Sequence, residues 1–379
     1  MRRLLQKLLL KPVLRLSDRY SSKPEREKIF AALSKLQKTI IEEPGKRGII
    51  IPFEMNSGRF IIFSDQHRGA KNGADDFVMA EPNYFTALDY YYKNNFHFIS
   101  LGDSEELWEN SLSKVKKFNE VSIEKEKLFV EQDRFTKIFG NHDLYWDNDP
   151  LAWWQLRNLY GKEVKIYEGI ILQLIPDSYR DGSSEFGVNH PNSELRTKNS
   201  ELTIFLTHGH QGDASSDGNW FSKFFVARIW GPLQAYLRIN PNTPAYDSHK
   251  KTLHNEIMYD WSSQQTNLIL ITGHTHQPVF ESLTHLERLY KKLLSARKEK
   301  DAAAVIEIER EINNRKQPYK DLSDDYLVLK STYFNSGCCC FSDGDITGIE
   351  IADGKIRLIK WNSQAGREVL EETALSNFL

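Results

Sequence analysis

Short polar blocks follow five apolar segments of this chain, and that arrangement strongly limits how the chain can fold. Four segments are typical of β-strands, at residues 59–64, 96–101, 201–206 and 267–272. A weaker fifth segment covers residues 134–139. In α/β sheets, functional groups gather at the carboxyl ends of the strands, so five such ends can surround one point. The sequence therefore predicts an α/β fold with a site built from strand ends.

The five polar blocks consist largely of Asp, Asn, His and Gly. They are Asp65-Gln66-His67, Gly102-Asp103, Gly140-Asn141-His142-Asp143, Thr207-His208-Gly209-His210 and Gly273-His274-Thr275-His276. Carboxylate, amide and imidazole groups together form the ligand set of hard to borderline divalent metals. We therefore expect the site to bind metal.

In the content and order of these blocks, the chain resembles the calcineurin-like metallophosphoesterase superfamily. The family pattern is D-x-H, G-D, G-N-H-[DE], H and G-H-x-H, each after a strand, and it extends here over residues 65–276. The resemblance implies a four-layer α/β/β/α sandwich, here with helical insertions. The G-H-T-H-x-P form is most similar to bacterial UDP-diacylglucosamine-hydrolase-like enzymes, which cleave a nucleotide-sugar diphosphate.

The resemblance also implies two divalent cations, of Mn, Fe or Zn, and a ligand set for each. Asp103 would bridge the two cations, as a pair of metals 3.5–4 Å apart requires. The remaining ligands would be Asp65, His67 and His276 for the first metal, and Asn141, His208 and His274 for the second. The implied reaction is hydrolysis of a phosphodiester, pyrophosphate or phosphomonoester by a hydroxide that bridges the metals.

His142 is expected to act on the substrate rather than to bind a metal. In the family, this histidine stabilises the transition state or protonates the leaving oxygen. A carboxylate usually orients such a histidine. Glu106 occupies the position where protein-phosphatase relatives have an Asp for this purpose, and Asp143 is the alternative.

The expected substrate contacts are less directly specified. Protein phosphatases carry G-D-x-x-D-R-G, but Leu107 and Trp108 follow Glu106 here, so the Arg that grips phosphate is missing. Arg68, with Asn72 behind it, is expected to replace that Arg, the alternative being a surface salt bridge. His210 is expected to contact substrate or to make a structural hydrogen bond.

The sequence predicts a division of the chain into two parts. Residues 1–47 form an N-terminal basic and helical segment, and residues 48–379 form the metallophosphoesterase domain. Within residues 1–20, leucines alternate with basic residues. They favour either a strap packed on the body or a peripheral contact with the inner membrane surface. A helix with Ile29, Leu33, Leu36 and Ile40 on one face follows.

Two insertions are expected within the domain. Residues 213–263 are rich in aromatic side chains. This favours a lid or substrate wall for an apolar group, a helical subdomain that buries its own aromatics, or a dimer contact. Residues 285–317 alternate acids and bases and predict a solvated helical hairpin with a break near Asp301. A further helix at residues 115–131 is expected to lie exposed because it is rich in Lys and Glu.

The amino-acid composition indicates which binding partners and which cellular compartment are expected. A net charge of −2 gives no basic surface, so we expect no nucleic acid and disfavour a nuclease. The three cysteines are contiguous, Cys338 to Cys340, which excludes a disulfide framework, fits the cytoplasm and suggests small buried apolar residues. The expected partner is a small phosphorylated substrate, either lipid-linked or a nucleotide-sugar. A non-catalytic metal-binding scaffold of the same fold is the alternative.

Overall fold

The computed structural model describes residues 24–72, 75–175, 202–212, 248–314 and 331–379. The basic segment 1–20 and residues 213–247 of the aromatic insertion lie outside the described residues. In the described part of the chain, no helix combines the length and the apolar character that crossing a bilayer requires.

The described strands divide into two sheets. In chain order they are β1 Gly48–Glu54, β2 Phe60–Phe63, β3 His97–Leu101, β4 Phe135–Ile138, β5 Ile166–Tyr167, β6 Gly169–Ile175, β7 Thr203–Thr207, β8 Leu268–Thr272, β9 Val279–Phe280, β10 Leu283–Thr284, β11 Tyr333–Asn335, β12 Ile346–Ala352, β13 Lys355–Asn362 and β14 Gly366–Ala374. The first sheet has the order β14-β13-β12-β2-β3-β4-β5, and the second has the order β1-β6-β7-β8-β11-β9-β10.

Strand direction places the polar blocks at one edge of each sheet. In the first sheet, β2, β3 and β4 run parallel, so all three end on the same side. In the second sheet, β7 and β8 are also parallel neighbours. The five strands predicted from the sequence are thus present, and each begins and ends within two residues of its predicted bounds. The polar blocks follow these strands.

The two sheets pack face to face, with helices on both outer faces. The described helices are α1 Arg26–Glu42, α2 Glu81–Lys93, α3 Leu112–Phe118, α4 Glu120–Glu131, α5 Tyr145–Asn148, α6 Ala152–Tyr160, α7 Ser248–Ser263, α8 His285–Glu299 and α9 Ala302–Asn314. Buried side chains such as Ile62, Ile99, Leu206 and Ile271 fill the space between the sheets. Helices α2 and α4 cover the first sheet, and α1 and α7 cover the second. The four-layer α/β/β/α sandwich is therefore confirmed.

Helix α1 belongs to this sandwich rather than to a separate segment. Its buried face consists of Ile29, Leu33, Leu36 and Ile40, the residues whose spacing predicted it. This face packs in one apolar cluster with residues of the second sheet. The division at residue 47 therefore does not separate two packed units among the described residues.

The prediction of one exposed helix at residues 115–131 is wrong in two respects. The segment breaks into α3 and α4 at Asn119, and α4 buries Ile123, Glu126 and Phe129. A glutamate marks a surface position only when it has no internal partner. Glu126 is fully buried because Arg68 pairs with it at 2.5 Å, so the charged composition concealed a buried face.

The described end of the aromatic insertion, α7, supports the core. Trp261 is almost completely buried against Phe205 of β7, with ring centroids 5.9 Å apart. Its indole Nε1 donates to Ser34 Oγ of α1 at 3.0 Å. This tryptophan is therefore structural, whereas the aromatics of residues 213–247 remain outside the described part of the chain.

The C-terminal strands complete the edge of the first sheet. Strands β12 and β13 form a hairpin, with Ala352 paired to Lys355, and Asp353 and Gly354 form the turn between them, a residue pair that is typical of such hairpins. Strand β14 was not predicted, because its mixture of charged and apolar residues belongs to a half-exposed edge strand.

Candidate metal centre

Seven predicted ligands follow the ends of five strands, three strands in the first sheet and two in the second. Strands β2, β3 and β4 are followed by Asp65 with His67, by Asp103 and by Asn141, and strands β7 and β8 by His208 and by His274 with His276. Six of the seven residues are buried, and His276 is partly exposed. The architecture therefore gathers carboxylate, amide and imidazole groups in one place, as the sequence predicted.

The first group of potential ligands consists of Asp65, His67 and His276. His276 Nε2 lies 3.2 Å from Asp65 Oδ1 and 3.2 Å from His67 Nε2. Two atoms that each lie 2.0–2.1 Å from one metal are about 2.9–3.5 Å apart at octahedral or tetrahedral angles. The spacing of His276 from its two partners therefore fits one shared cation, and the third pair, His67 Nε2 and Asp65 Oδ1, is slightly wider at 3.8 Å.

The second group consists of Asp103, His208 and His274, whose ligand atoms lie within 4.8 Å of one another. Asp103 Oδ2 is 3.4 Å from His208 Nε2 and 3.7 Å from His67 Nε2. Its carboxylate thus lies between the two groups, where a bridging ligand belongs.

Asn141 gives an independent test of whether the residues fit a metal. Its Oδ1 is buried and has no hydrogen-bond partner. A buried acceptor without a partner costs about 1–3 kcal/mol, so native structures rarely retain one. The neighbouring Gly140 and His142 both contact Asp103, which places Asn141 beside the second group. A cation in that group would satisfy the orphaned oxygen.

The backbone at the predicted ligands is strained. Asp65, His67, Asp103, His274 and His276 all have positive φ angles, between 50° and 68°. Non-glycine residues seldom adopt this left-handed conformation, and each instance costs on the order of 1–3 kcal/mol. Such strain concentrates at functional sites, where it turns a strand end sharply enough to direct consecutive side chains inward. It is an observation that no sequence pattern supplied.

The glycines of the polar blocks allow the strand ends to approach one another. A Cβ at Gly102 would lie 2.6 Å from the His208 ring, and one at Gly273 would lie 2.5 Å from Asp65 Oδ2. At Gly140, a Cβ would collide with the Asp103 carboxylate and lie 2.6 Å from its backbone nitrogen. Glycine is therefore required at these positions because any side chain would displace a predicted ligand.

Glu106 links the metal ligands to His142. Its Oε2 accepts hydrogen bonds from His142 Nδ1 at 2.7 Å and from His67 Nδ1 at 3.1 Å. Each bond fixes the Nδ1–H tautomer and leaves Nε2 of that ring free to act. Trp108, which the sequence did not single out, stacks on the His142 ring with centroids 5.0 Å apart.

The negative charge of Glu106 and the positive charge of His142 stabilise each other. Burial alone would raise the pKa of Glu106, but the charge of His142 and hydrogen bonds from both histidines lower it to about 2. Burial lowers the pKa of His142, yet the charges of Glu106 and Asp103 outweigh it and leave that pKa above its usual value. Glu106 therefore remains a carboxylate and favours a protonated His142.

Asp143 has a different task from the one that the alternative prediction gave it. Its carboxylate accepts hydrogen bonds from the backbone nitrogens of Ser104, at 2.9 Å, and of Gly140. It therefore joins the loop after β3 to the loop after β4. Of the two candidate carboxylates, Glu106 is the one that the structure bonds to the His142 ring.

The structure contradicts the prediction that Arg68 grips a substrate phosphate. Arg68 is fully buried, and its guanidinium donates to Glu105 at 2.6 Å, to Glu126 at 2.5 Å and to the Ser104 carbonyl at 3.1 Å. With its donors directed at buried acceptors, it cannot face a substrate. It instead fixes the loops that carry His67 and Glu106, because its backbone carbonyl also accepts from the Glu106 nitrogen at 3.0 Å.

The two other predicted substrate residues occupy different surroundings. His210 is buried, with Nδ1 3.1 Å from Nδ1 of His208, so it lies behind the second ligand group. Asn72 lies exposed on the loop after Arg68. A substrate contact by either residue stays a prediction.

Sequence reasoning missed the support that α7 gives to the last polar block. His254 Nε2 donates to the Gly209 carbonyl at 2.8 Å, and its ring centroid lies 5.2 Å from that of His274. Asn255 Oδ1 accepts from Thr275 Oγ1 at 3.2 Å. The helical spacing of these residues gave no indication of this, since the partner loop is adjacent only in space.

The similarity of this chain to known proteins adds no functional conclusion to what the side chains of the site indicate. No family model matches the chain, and no curated protein matches it. Among solved structures, it is similar to a conserved uncharacterised protein from Streptococcus pneumoniae, described as a predicted phosphoesterase. The identity is 12%, the TM-score is 0.30, and the match covers 84% of this chain and 97% of the other. A TM-score of this size carries no functional conclusion.

Proposed function

We propose that this protein hydrolyses phosphate esters at a site for two divalent cations. The observation that carries the proposal is the pair of ligand groups, Asp65–His67–His276 and Asp103–His208–His274, with the Asp103 carboxylate between them. The buried Asn141 oxygen without a partner supports a cation in the second group. The mixture of oxygen and imidazole ligands suits Mn, Fe or Zn.

The chain supplies both a binding surface and a proton donor to this reaction. Bound divalent cations would supply Lewis acidity toward phosphate oxygens and acidify a water molecule. Glu106 accepts from His142 Nδ1 and favours the imidazolium form of the ring, in which Nε2 also carries a proton that the leaving oxygen can take. The stacked indole of Trp108 limits rotation of the ring. Glu106 thereby couples the proton donor to the ligand His67.

The proposed substrate is a small phosphorylated molecule, a nucleotide-sugar or a lipid-linked phosphate. The aromatic content of residues 213–247, which directly follow the His208 block, supports an apolar or sugar-like group beside the site. The basic, leucine-rich residues 1–20 support action at the inner membrane surface of the cytoplasm. The net charge of −2 argues against a nucleic-acid substrate.

A panel of phosphodiesters, pyrophosphates and phosphomonoesters tests the proposal directly. Hydrolysis of at least one class should require Mn²⁺, Fe²⁺ or Zn²⁺ and should cease on addition of a chelator. His142→Ala should lower kcat by about 10²–10⁴, the usual contribution of acid–base catalysis, while bound metal is retained.

His97→Gln is the matched control, because His97 is a partly buried histidine bonded to Thr136 at the opposite end of β3 from Asp103. It should leave kcat within a few-fold of the wild type. Metal binding without hydrolysis of any ester would indicate the scaffold alternative. An equal loss of activity in both variants would remove the assigned role of His142.

A further inference from the structure

The three consecutive cysteines face two different parts of the fold. Cys338 and Cys340 direct their sulfurs toward His276, and these two sulfurs and a ring nitrogen lie within 4.8 Å of one another. Cys340 Sγ is 3.7 Å from His276 Nδ1. Cys339, between them, is fully buried in the cluster under the helices of the first sheet, with Sγ 3.9 Å from the Thr347 carbonyl.

We propose that Cys338 and Cys340 form a redox-active dithiol whose oxidation weakens metal binding through His276. The effect on the metal rests on the proposed function, which assigns His276 as a ligand. The formation of the dithiol pair does not depend on it. The prediction that the cysteines are small buried residues holds for Cys338 and Cys339, whereas Cys340 is partly exposed.

The geometry allows a disulfide between the two residues. A disulfide requires sulfurs about 2.05 Å apart and Cα atoms usually about 4.4–6.8 Å apart. Two residues separated by one other span at most about 7 Å when fully extended. The chain bends at Cys339 and is therefore not fully extended, and the sulfurs already lie within 4.8 Å. Rotation of the side chains is then sufficient to bring the sulfurs together.

Exposure assigns a separate chemical part to each thiol. Cys340 is partly exposed, whereas Cys338 is buried. A hydroperoxide ROOH would oxidise Cys340 to the sulfenic acid Cys340–SOH and be reduced to the alcohol ROH. The Cys338 thiol would then attack this sulfur, form the S–S bond and release one water molecule. The two cysteines together lose two hydrogens and two electrons, and a thiol reductant reverses the change.

Oxidation would change the outer contact of a predicted ligand. His276 Nε2 lies 3.2 Å from Asp65 Oδ1, and its Nδ1 lies against the cysteine sulfur. The partner on the far side of a ligating histidine fixes the ring, and its loss typically lowers metal affinity by about 10–100-fold. A disulfide sulfur is a poorer hydrogen-bond partner than a thiol, so oxidation of Cys340 would weaken this support of the His276 ring.

The test counts thiols and measures zinc affinity after treatment of the full-length protein with a mild excess of hydrogen peroxide. Zn²⁺ is the probe because it is not itself oxidised. Under denaturing conditions, the thiols of the wild type should fall from the three of the sequence to one, with a mass loss of two hydrogens. Chelator competition should show a zinc Kd raised about 10–100-fold, restored by dithiothreitol.

Cys339→Ala and Cys340→Ala form the matched pair of variants. Cys339→Ala should still form the disulfide and lose both remaining thiols, whereas Cys340→Ala should retain both of its thiols, and peroxide should leave its zinc Kd at the value of the untreated variant. The proposal is overturned if the wild type keeps three thiols, if Cys340→Ala pairs equally well, or if complete disulfide formation leaves the zinc Kd unchanged. None of these measurements uses phosphate-ester hydrolysis, so failure of the proposed activity is distinguishable from failure of the dithiol.

Discussion

Replacing Glu106 by Gln should shift the alkaline limit of activity to lower pH. In the wild type, the carboxylate accepts from His142 Nδ1 at 2.7 Å and, together with Asp103, holds the His142 pKa above its usual value despite burial. A protonated His142 is needed to give its proton to the leaving oxygen. Activity is therefore present below the raised pKa and is lost as the pH rises through it. Gln keeps the shape of the side chain but removes the charge.

The size of the shift follows from the bond that is weakened. A hydrogen bond to a charged group contributes about 1.5–3 kcal/mol, and one pKa unit corresponds to 1.36 kcal/mol. The alkaline limb should therefore move down by about 1–2 pH units. Because the same oxygen also accepts from His67 at 3.1 Å, metal affinity should fall by about 10–100-fold.

The assay is the pH dependence of kcat for Glu106→Gln at saturating metal, with Asp143→Asn as the comparison. Asp143 bonds to the backbone of Ser104 and Gly140, so its variant should lose stability but keep the wild-type alkaline limb. An unchanged alkaline limb in Glu106→Gln would show that the assignment of Glu106 is wrong. A shift of the limb in Asp143→Asn alone would show that Asp143 orients His142.

Three other changes have defined outcomes. Gly140→Ala should abolish metal binding and activity, because its Cβ would collide with the Asp103 carboxylate; metal content and kcat measure this. Arg68→Met should lower the free energy of unfolding by about 3–5 kcal/mol, since Glu126 would lose its buried ion pair and Glu105 would keep only the one with Lys137, as denaturant titration would show. The fraction that folds should keep the wild-type KM. A raised KM would instead support the rejected prediction that Arg68 contacts a substrate phosphate. Removal of metals by a chelator should lower Tm, as loss of any ligand specific to the folded state does, and an unchanged Tm would argue against a built metal site.

The fold was predictable because its strands carry strong local signals. The segments that became β2, β3, β7 and β8 are apolar and end in polar blocks, and parallel pairing then brings those ends together. Strand β14 lacks such a signal, because an edge strand with charged residues on its exposed side does not differ from a loop in composition.

The predicted ligands could be chosen from sequence because residue type restricts their chemistry. Their supporting residues could not, since support depends on contacts between distant parts of the chain. Arg68 illustrates the limit: an arginine beside a ligand resembles a phosphate contact until Glu126, 58 residues away, is found against it. Glu126 was in turn expected at the surface for the same reason. A sequence shows that a residue is charged, but it does not show whether that residue pairs with an opposite charge in the interior of the protein.

The measurement that tests the central claim most directly is anomalous diffraction from crystals of the protein loaded with Mn²⁺ or Zn²⁺. Two peaks are predicted, about 3.5–4 Å apart. One should lie among Asp65, His67 and His276 and the other among Asn141, His208 and His274, with Asp103 contacting both; Asp103→Asn should weaken both peaks. A single peak, or a pair of peaks that Asp103 does not join, would contradict the account.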